Sequence, residues 1–338
     1  MGVKARGSGR AKLLLFGEHA AVYGYPALGL ALAEGIEVEL DPGGGLWELA
    51  GTGGSQPLPP ALDSALSILS ARLPLLGGGG TVSIRGDVPV GLGLGSSAAL
   101  CVALAEAALR LGQSKENEEV TDRAPDRRLV WELAHAAESA FHGRPSGIDT
   151  GLAALVHAPY TGRGGTPGGT PGGTVRLEPH PPDLPGISAQ ACPPLHLVVG
   201  ALPRSSNTAS LVSSLSGRLV RDADAAPTMR FLGRLTDEAA SALRRPDFAP
   251  ALGCLANEAE AALESLGLVH EALRPLMNAG REAGALGGKM SGAGGGGAFY
   301  LVFEDADSAA AGAEAVGREA LKRGISLPWP AHALRIGG

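Results

Sequence analysis

Apolar positions in the first half of the chain predict a mixture of strands and helices. Residues 11–16 (AKLLLF) form a nearly continuous apolar run that stops at Gly17, which is typical of a buried strand. Residues 81–85 (TVSIR) alternate polar and apolar side chains, which is typical of a half-buried strand. Apolar residues recur at helical spacing in three further stretches, at 61–73, 98–111 and 129–141. Stretches rich in Gly and Pro predict connections at 43–60 and 76–80.

The second half of the chain predicts a strand, several helices, a strand, a helix and a last strand. We place the strands at 195–200, 298–303 and 331–336, and the helices at 209–219, 229–243, 256–266, 269–283 and 308–323. This order suits a two-layer α+β sandwich. Before it, residues 162–173 repeat Gly-Gly-Thr-Pro and predict a flexible insertion. We therefore expect a domain boundary near residue 186, which gives domains at 1–185 and 186–338.

Residues 89–100 (PVGLGLGSSAAL) join the predicted strand at 81–85 to the helix that follows. Three glycines alternate with apolar residues, and Ser96 and Ser97 then open the helix. Backbone N–H groups at a helix start, together with the helix dipole, form a site for anions. We interpret the stretch as a phosphate-binding loop, and the alternative is a glycine-rich turn before an ordinary core helix.

The kind of phosphate loop can be narrowed from the residues that it lacks. A Walker A loop requires a lysine, and no lysine occurs between Lys12 and Lys115. The dinucleotide fingerprint requires glycine or alanine where Ser96 stands, and an acidic residue that ends a strand about 20 positions later, and no such strand-ending residue is found. The residues therefore exclude a Walker A loop, and they match the dinucleotide fingerprint only in part.

Several polar residues stand where strands or helices end. Lys12 lies inside an apolar strand, and Glu18 and His19 follow the end of that strand. Such residues are commonly a snorkelling lysine and solvated polar groups, although loops at strand ends often carry function. A second glycine cluster, residues 287–297, ends in four consecutive glycines before a strand. Because each glycine costs backbone entropy, we expect something to approach the backbone closely there.

Composition excludes some classes of function and bounds the others. The 338 residues suit about two domains, and 44% apolar with 18% charged residues indicates a globular protein. A net charge of −6 argues against nucleic acid as a partner. The three isolated cysteines indicate neither a disulfide framework nor a zinc site. No apolar run approaches the ~18 residues of a membrane span, and 13–16 is too short for a signal peptide, so we expect no membrane partner and a cytoplasmic protein.

Three motifs, spread over nearly the full length, resemble those of the GHMP kinase superfamily and, within it, the mevalonate kinase family. They are KLLLFGEHAAVYG at 12–24, PVGLGLGSSA at 89–98 and KMSGAGGGGA at 289–298. Between the last two, HGRPSGID at 142–149 resembles a further family pattern, with Glu138 eleven residues before Asp149. Ala11, Ala21 and Arg144 stand where the family usually has glycine, valine and asparagine.

The resemblance implies an α+β, two-lobed GHMP kinase fold. Its N-terminal lobe would be ribosomal protein S5 domain 2-like and would carry the nucleotide loop and the catalytic residues. Its C-terminal lobe would be ferredoxin-like. Members of the family are usually dimers, so a homodimer is possible here as well.

The resemblance also implies how ATP and Mg²⁺ are bound. The nucleotide loop would use Pro89, Gly91, Gly93, Leu94, Gly95, Ser96, Ser97 and Ala98. Ser97 and Glu138 would hold Mg²⁺, a hard cation that prefers oxygen ligands. Residue type alone does not separate Ser96 from Ser97 for this role, and the resemblance favours Ser97.

For catalysis, the resemblance implies that Asp149 faces the hydroxyl of the acceptor and that Lys12 stabilises charge on the transferring phosphoryl group. Asp149 would act as a general base or as an orienting acceptor, and polarisation of the hydroxyl by Lys12 is the competing account. The acceptor would be bound by Glu18, His19, Ser146, Thr208, Gly292, Ala293 and Gly294.

The implied function is ATP-dependent phosphorylation of the primary hydroxyl of mevalonate to 5-phosphomevalonate, in isoprenoid precursor synthesis. Phosphomevalonate kinase and mevalonate 3-kinase are alternatives, because they share the fold. A non-catalytic nucleotide sensor is an alternative of another class, but it would be free to lose Lys12, Glu138 and Asp149. Galactokinases usually continue Gly-Glu-His with Thr-Asp-Tyr, where this chain has Ala20-Ala21-Val22.

Overall fold

A computed structural model describes the backbone of residues 4–51, 53–73, 76, 78–116, 124–142, 145–155, 174–180, 183–190, 192–204 and 225–337. Contacts between Cα atoms divide the described residues into two compact units that interleave along the sequence. The first unit takes its residues from 1–12, 32–88 and 95–169, and the second from 13–31, 89–94 and 170–338. Strands β1 (Ala5–Phe16) and β2 (Ala27–Pro42) each contribute residues to both units.

Strands of the first unit follow the order β4, β3, β5, β2. Their bounds are β3 Trp47–Gly51, β4 Gly54–Pro57 and β5 Gly80–Gly86. β5 pairs antiparallel with β2, with Ile36 opposite Gly86, and parallel with β3. Val38, Leu40 and Val82 are buried along this pairing, so the alternating pattern of β5 directs its apolar side chains to the core.

The helices of the first unit pack on one another. They are α1 Pro60–Arg72, α2 Ser96–Glu116, α3 Arg127–His142 and α4 Ile148–Leu155. α2 packs against α3 and α4, and α1 packs against α3. Trp131 is fully buried in α3, and its indole N–H donates to the carbonyl oxygen of Gly147 at 3.0 Å. This bond fixes the start of α4, where the Ser-Gly-Ile-Asp sequence lies.

The second unit contains a four-stranded antiparallel sheet in the order β11, β8, β10, β9. Its strands are β8 Leu195–Leu202, β9 Gly287–Met290, β10 Gly297–Phe303 and β11 Trp329–Ile336. Every residue of β10 is buried, which explains its continuous apolar sequence. Two further strands, β6 Thr174–His180 and β7 Asp183–Gln190, pair with each other, and β6 pairs with the first residues of β2.

The helices of the second unit are α5 Ala225–Ala242, α6 Phe248–Ser265, α7 Leu273–Glu282 and α8 Ala306–Arg323. α8 begins with a capping box, in which Asp305 accepts from the N–H of Ser308 at 2.8 Å, and ends at Gly324 with φ 65°. Among the helices described in the two units, none is both long enough and apolar enough to cross a bilayer.

The structure confirms the long predicted elements and adds strands that the sequence pattern did not predict. The connection predicted at 43–60 contains β3 and β4, whose residues are largely exposed and lack a clear alternation. The glycine cluster at 287–297 begins with β9, and the stretch around residue 186 lies within β7. The helix predicted at 209–219 and the repeat at 162–173 lie outside the described residues.

Candidate active site

Lys12 and Asp149 form an ion pair in the first unit, with 3.0 Å between Nζ and Oδ1. Lys12 comes from β1, and Asp149 lies in the first turn of α4, where the helix dipole favours a carboxylate. The Lys12 side chain is 4% exposed and the Asp149 side chain is 39% exposed. The cation is therefore held inside the unit, while its carboxylate partner remains accessible to a small molecule.

Gly95 provides the space through which the stem of Lys12 passes. A Cβ atom added at Gly95 would lie 2.7 Å from Cγ of Lys12, and the φ of Gly95 is +74°. Both the close approach and the left-handed backbone therefore require glycine at this position. At Gly95, the group that approaches the backbone is a side chain of the protein itself.

Ser96 and Ser97 begin α2, as the sequence pattern predicts. The Oγ atom of Ser97 lies 2.9 Å from Nε2 of His142, the last residue of α3. His142 was not among the predicted site residues, although it begins the His-Gly-Arg-Pro-Ser-Gly-Ile-Asp pattern. Ser146 accepts from the N–H of Ile148 at 3.3 Å, so its hydroxyl helps to start α4.

The remaining residues of the predicted nucleotide loop differ in exposure. Gly91 and Gly93 have φ of +81° and +82°, so the loop uses left-handed glycines at alternate positions. Leu94 and Ala98 are buried, and Pro89 is half-buried. The two apolar side chains therefore anchor the loop rather than offering groups to a ligand.

Glu138 is a buried carboxylate in α3 with one unsatisfied oxygen. Its Oε2 atom has no hydrogen-bond partner among the residues that the structure describes. Burial, followed by the charge of Asp149, raises the pKa of Glu138 to about 8, while Lys12 and a hydrogen bond from Thr150 act in the opposite direction. Because an unpaired buried carboxylate is costly, this oxygen fits a cation. Within the described part of the chain, no three His, Cys, Asp or Glu side chains are grouped to hold a metal.

His19 lies in the second unit and has an unusual backbone. Its φ is +55°, and among the described residues it is the one non-glycine residue with a positive φ. It is 7% exposed, and its Nε2 atom donates to the carbonyl oxygen of Ala293 at 2.9 Å. Burial and then the charge of Lys289 lower the pKa of His19, against the effect of the bond to Ala293. The imidazole is therefore neutral at pH 7, and its Nδ1 atom is an acceptor.

Glu18, the neighbour of His19, forms an ion pair with Lys289 through its carboxylate. The side chains of Glu18 and Lys289 are 1% and 0% exposed, and Nζ of Lys289 donates to Oε1 of Glu18. Lys289 begins the third motif, but it was not among the predicted site residues. The sequence held no signal for this pair, because its members are 271 positions apart.

The glycine run at 292–297 packs against the backbone of the second unit. A Cβ atom at Gly294 would lie 2.3 Å from the carbonyl oxygen of Leu268, and one at Gly296 would lie 2.1 Å from that of Pro203. Gly292 and each of residues 294–297 have a positive φ. The close approach that the sequence predicted therefore includes an approach by the protein's own main chain.

Arg204 is a cation that sequence reasoning missed. A Cβ atom at Gly93 would lie 3.1 Å from its Nη2, and one at Gly297 would lie 2.9 Å from its Nε. Its guanidinium therefore lies close to Gly93 and Gly297, which both belong to the second unit. In the sequence, Arg204 precedes the hydroxyl-rich stretch Ser205-Ser206-Asn207-Thr208. The predicted site residue Thr208 belongs to that stretch and lies outside the described residues.

Two family models match the chain. "GHMP kinases N terminal domain" matches residues 62–156, and "GHMP kinases C terminal" matches residues 239–323. The first match includes Gly95, Glu138 and Asp149, which lie in the first unit. The second lies in the part of the chain that carries α5 to α8.

Known proteins resemble the chain over most of its length. A mevalonate kinase of Thermococcus sibiricus is 30% identical over 330 residues, which cover 89% of this chain and 90% of the relative. A crystal structure of L. major mevalonate kinase in complex with R-mevalonate has a TM-score of 0.73 at 22% identity, and covers 100% of this chain and 96% of that chain.

A Streptococcus pneumoniae phosphomevalonate kinase has a TM-score of 0.69 at 17% identity, with 99% and 100% of the two chains covered. Likeness of structure alone therefore establishes the fold and does not choose between acceptors. The sequence matches establish the family, because a relative at 30% identity covers 89% of the chain and both family models match parts of it. The chain belongs to the GHMP kinase family, and several relatives that it matches at 30% identity are mevalonate kinases.

Proposed function

We propose that the protein is a mevalonate kinase, which transfers the γ-phosphoryl group of ATP to the primary hydroxyl of mevalonate and gives 5-phosphomevalonate and ADP. The observation that carries the proposal is the Lys12–Asp149 pair, in which a buried ammonium lies 3.0 Å from a half-exposed carboxylate. Similarity to mevalonate kinases over 89% of the chain supports mevalonate as the acceptor.

Phosphoryl transfer requires positioning and charge stabilisation more than covalent help from the protein. A bond forms between the acceptor oxygen and the γ-phosphorus, and the bond from that phosphorus to the bridging oxygen of ADP breaks. The hydroxyl proton passes to the carboxylate of Asp149, whose exposure leaves room for the acceptor. The ammonium of Lys12 stabilises negative charge on the transferring oxygens.

The nucleotide would lie on the loop at residues 89–98 and on the N-terminus of α2, where N–H groups and the helix dipole attract phosphate. Glu138 fits a divalent cation through its unsatisfied Oε2 atom, and Ser97 contributes a hydroxyl oxygen. Mg²⁺ held by these residues would neutralise charge on the phosphates of ATP. The hydrogen bond between Ser97 and His142 orients the Ser97 hydroxyl.

For the acceptor, we assign His19 to a hydroxyl group. Its Nε2–H is already donated to Ala293, so the free position is the acceptor nitrogen Nδ1. Arg204 is assigned to an anionic oxygen of a substrate, because its guanidinium lies close to Gly93 and Gly297. The roles predicted for Ser146, Thr208, Gly292, Ala293 and Gly294 remain predictions.

The proposal also includes the location of the protein, its partners and the competing functions. Cys101, Cys192 and Cys254 are free thiols, which suits a cytoplasmic protein. Small molecules are the proposed partners. A homodimer is proposed because members of the family are usually dimers. Phosphomevalonate kinase, mevalonate 3-kinase and a nucleotide sensor are the competing functions.

One assay tests the function. ADP release would be followed with mevalonate, phosphomevalonate, galactose and homoserine in parallel, and the product would be identified by ³¹P NMR. We expect turnover with mevalonate and a phosphate ester on its primary hydroxyl. Phosphorylation at the 3-hydroxyl, or a preference for phosphomevalonate, would transfer the assignment to the corresponding relative. No turnover on any acceptor would favour the sensor.

A further inference from the structure

Three charged side chains are buried together in the second unit, beside the candidate acceptor residue His19. They are Glu18, Glu260 and Lys289, which are 2%, 9% and 0% exposed. Lys289 donates to the carboxylate of Glu18 and, at 2.7 Å, to the carbonyl oxygen of Met290. Glu260 accepts from the backbone N–H of Met290 at 2.9 Å. The cluster thus connects the loop after β1, strand β9 and helix α6.

Lys289 is surrounded by groups that favour its charge. Besides Glu18, its ammonium lies 5.7 Å from the ring centroid of Phe16 and 5.5 Å from that of Tyr300, within the range of cation–π attraction. Even so, a buried ion pair is weak evidence for stability, because desolvation offsets most of the attraction. Stability alone therefore does not explain why these charges are buried, and their position in the fold suggests another role.

The cluster lies where two chain segments are tied together. The hydroxyl of Ser291 donates to the carbonyl oxygen of Leu14 at 2.8 Å and accepts from its N–H at 3.1 Å. Tyr300 donates to the carbonyl oxygen of Leu15 at 2.8 Å. These bonds hold β1. Beyond β1, the segment is tied through side chains, by Glu18 to Lys289 and by His19 to Ala293.

His19 needs such support because its backbone is in a sparsely populated region. A left-handed conformation of a non-glycine residue is strained, and it persists only where its surroundings over-determine it. The side chain of the preceding residue, Glu18, is held by the fully buried ammonium of Lys289. The four residues Ala20–Tyr23 form a short 3₁₀ helix, which begins directly after His19.

We propose that Glu18 and Lys289 are a positioning pair for His19, and that the carboxylate of Glu18 binds Lys289 rather than the acceptor. The proposal rests on the proposed function only in assigning His19 to the acceptor. It revises the prediction that Glu18 contacts the substrate directly, because its side chain is 1% exposed and its carboxylate is already paired.

The test is a double-mutant cycle with Glu18→Gln, Lys289→Met and the double variant. If the residues act as a pair, each single change raises the KM for mevalonate by about ten-fold, and the KM for ATP stays within about two-fold. The double variant should then be no worse than the more affected single variant. An undiminished loss from Glu18→Gln in the Lys289→Met background would show that Glu18 contacts the acceptor, and would overturn the proposal.

A second readout does not depend on activity. The ¹H–¹³C signals of the His19 imidazole, assigned by their loss in His19→Gln, would be titrated in each variant. We expect the pKa of His19 to rise in Lys289→Met and in the double variant, because the ammonium that lowers it is removed. An unchanged titration in both would overturn the proposal. If the wild type fails to turn over mevalonate, the proposed function fails, and this titration still tests the pair.

Glu106→Gln is the matched control for the loss of a buried carboxylate. Glu106 lies in the first unit, is 5% exposed and pairs with Arg110 and Arg127. It should lower the melting temperature and leave both the KM for mevalonate and the titration of His19 unchanged. If Lys289→Met alone does not fold, the double variant keeps the test valid, because it leaves neither member of the pair unpaired.

Discussion

The ammonium of Lys12 and the carboxylate of Asp149 meet at 3.0 Å in the first unit, and only the carboxylate is substantially exposed. This asymmetry gives the two residues different parts in the proposed reaction. A buried cation on a strand is fixed in place, while an exposed carboxylate on the first turn of a helix can accept a proton from a ligand.

Asp149→Asn should lower kcat by about 10²- to 10⁴-fold, because the amide cannot accept the hydroxyl proton. Binding of ATP, measured by calorimetry, should stay within about three-fold, since Asp149 is assigned to the acceptor. Asp126→Asn is the matched control, because Asp126 lies before α3 and its carboxylate accepts only a local bond from the N–H of Arg128 in the described contacts. Turnover near the wild-type rate in Asp149→Asn would leave polarisation by Lys12 as the mechanism.

Glu138→Gln should raise the Mg²⁺ concentration needed for half-maximal activity by about ten-fold or more, because a neutral amide is a weaker ligand for a hard cation. The measurement is an activity titration with Mg²⁺ at saturating ATP and acceptor. Glu132→Gln, an exposed change on the same helix, is the control. Equal Mg²⁺ titrations for Glu138→Gln and wild type would contradict the assignment of Glu138.

Gly95→Ala should lower kcat by about ten-fold or more and destabilise the fold by about 1 to 3 kcal/mol. The new methyl group would meet the stem of Lys12 at 2.7 Å and would stand at a φ of +74°. Thermal unfolding and steady-state kinetics check the two effects. In Gly317→Ala, on α8, the methyl group meets nothing within 4 Å, so this control should gain about 0.5 to 1 kcal/mol. A fully active Gly95→Ala enzyme would contradict the proposed placement of Lys12.

Glu260 predicts how stability depends on pH. Burial, the largest cause, raises the pKa of Glu260 from 4.5 to about 7. The folded protein therefore holds this proton more tightly than the unfolded chain, and stability from this group is present below pH 4.5 and is lost as the pH rises through about 7. The loss is at most about 3.5 kcal/mol, since one pKa unit corresponds to about 1.4 kcal/mol.

Glu260→Gln keeps an oxygen for the N–H of Met290 and removes this titration. Its free energy of unfolding, measured with urea, should exceed that of the wild type at pH 8 by more than it does at pH 5. Glu258→Gln, on the exposed side of α6, is the control. A difference between Glu260→Gln and wild type that is constant from pH 5 to pH 8 would show that Glu260 does not titrate in this range.

Local sequence was sufficient to predict the long helices and strands. The family resemblance named several residues that the structure places in the first unit. β1 contains a nearly continuous apolar run, and α2 and α3 have apolar residues at helical spacing; the predicted site residues Glu138 and Asp149, on α3 and α4, lie in one unit. β3 and β4 were missed because they are short and exposed, so no buried face imposes a pattern on them.

Contacts distant in sequence could not be predicted in the same way. Glycine and a single lysine dominate β9, so its pairing with β10 shows in no periodicity. The pairing of Lys289 with Glu18, and of Ser97 with His142, depends on how elements pack, and neither residue type identifies its partner. His19 was predicted as a site residue, but its left-handed backbone was not, because histidine carries little preference that would reveal it.

The backbone of His19 sets stability and activity against each other. Glycine would adopt the φ of +55° and ψ of −43° of His19 with less strain, so a library selected only for thermal stability should accumulate glycine at position 19. A library selected for turnover should retain histidine there, because glycine provides no imidazole nitrogen. Position 19 is therefore a place where evolution towards a more robust protein and evolution towards a faster enzyme would diverge.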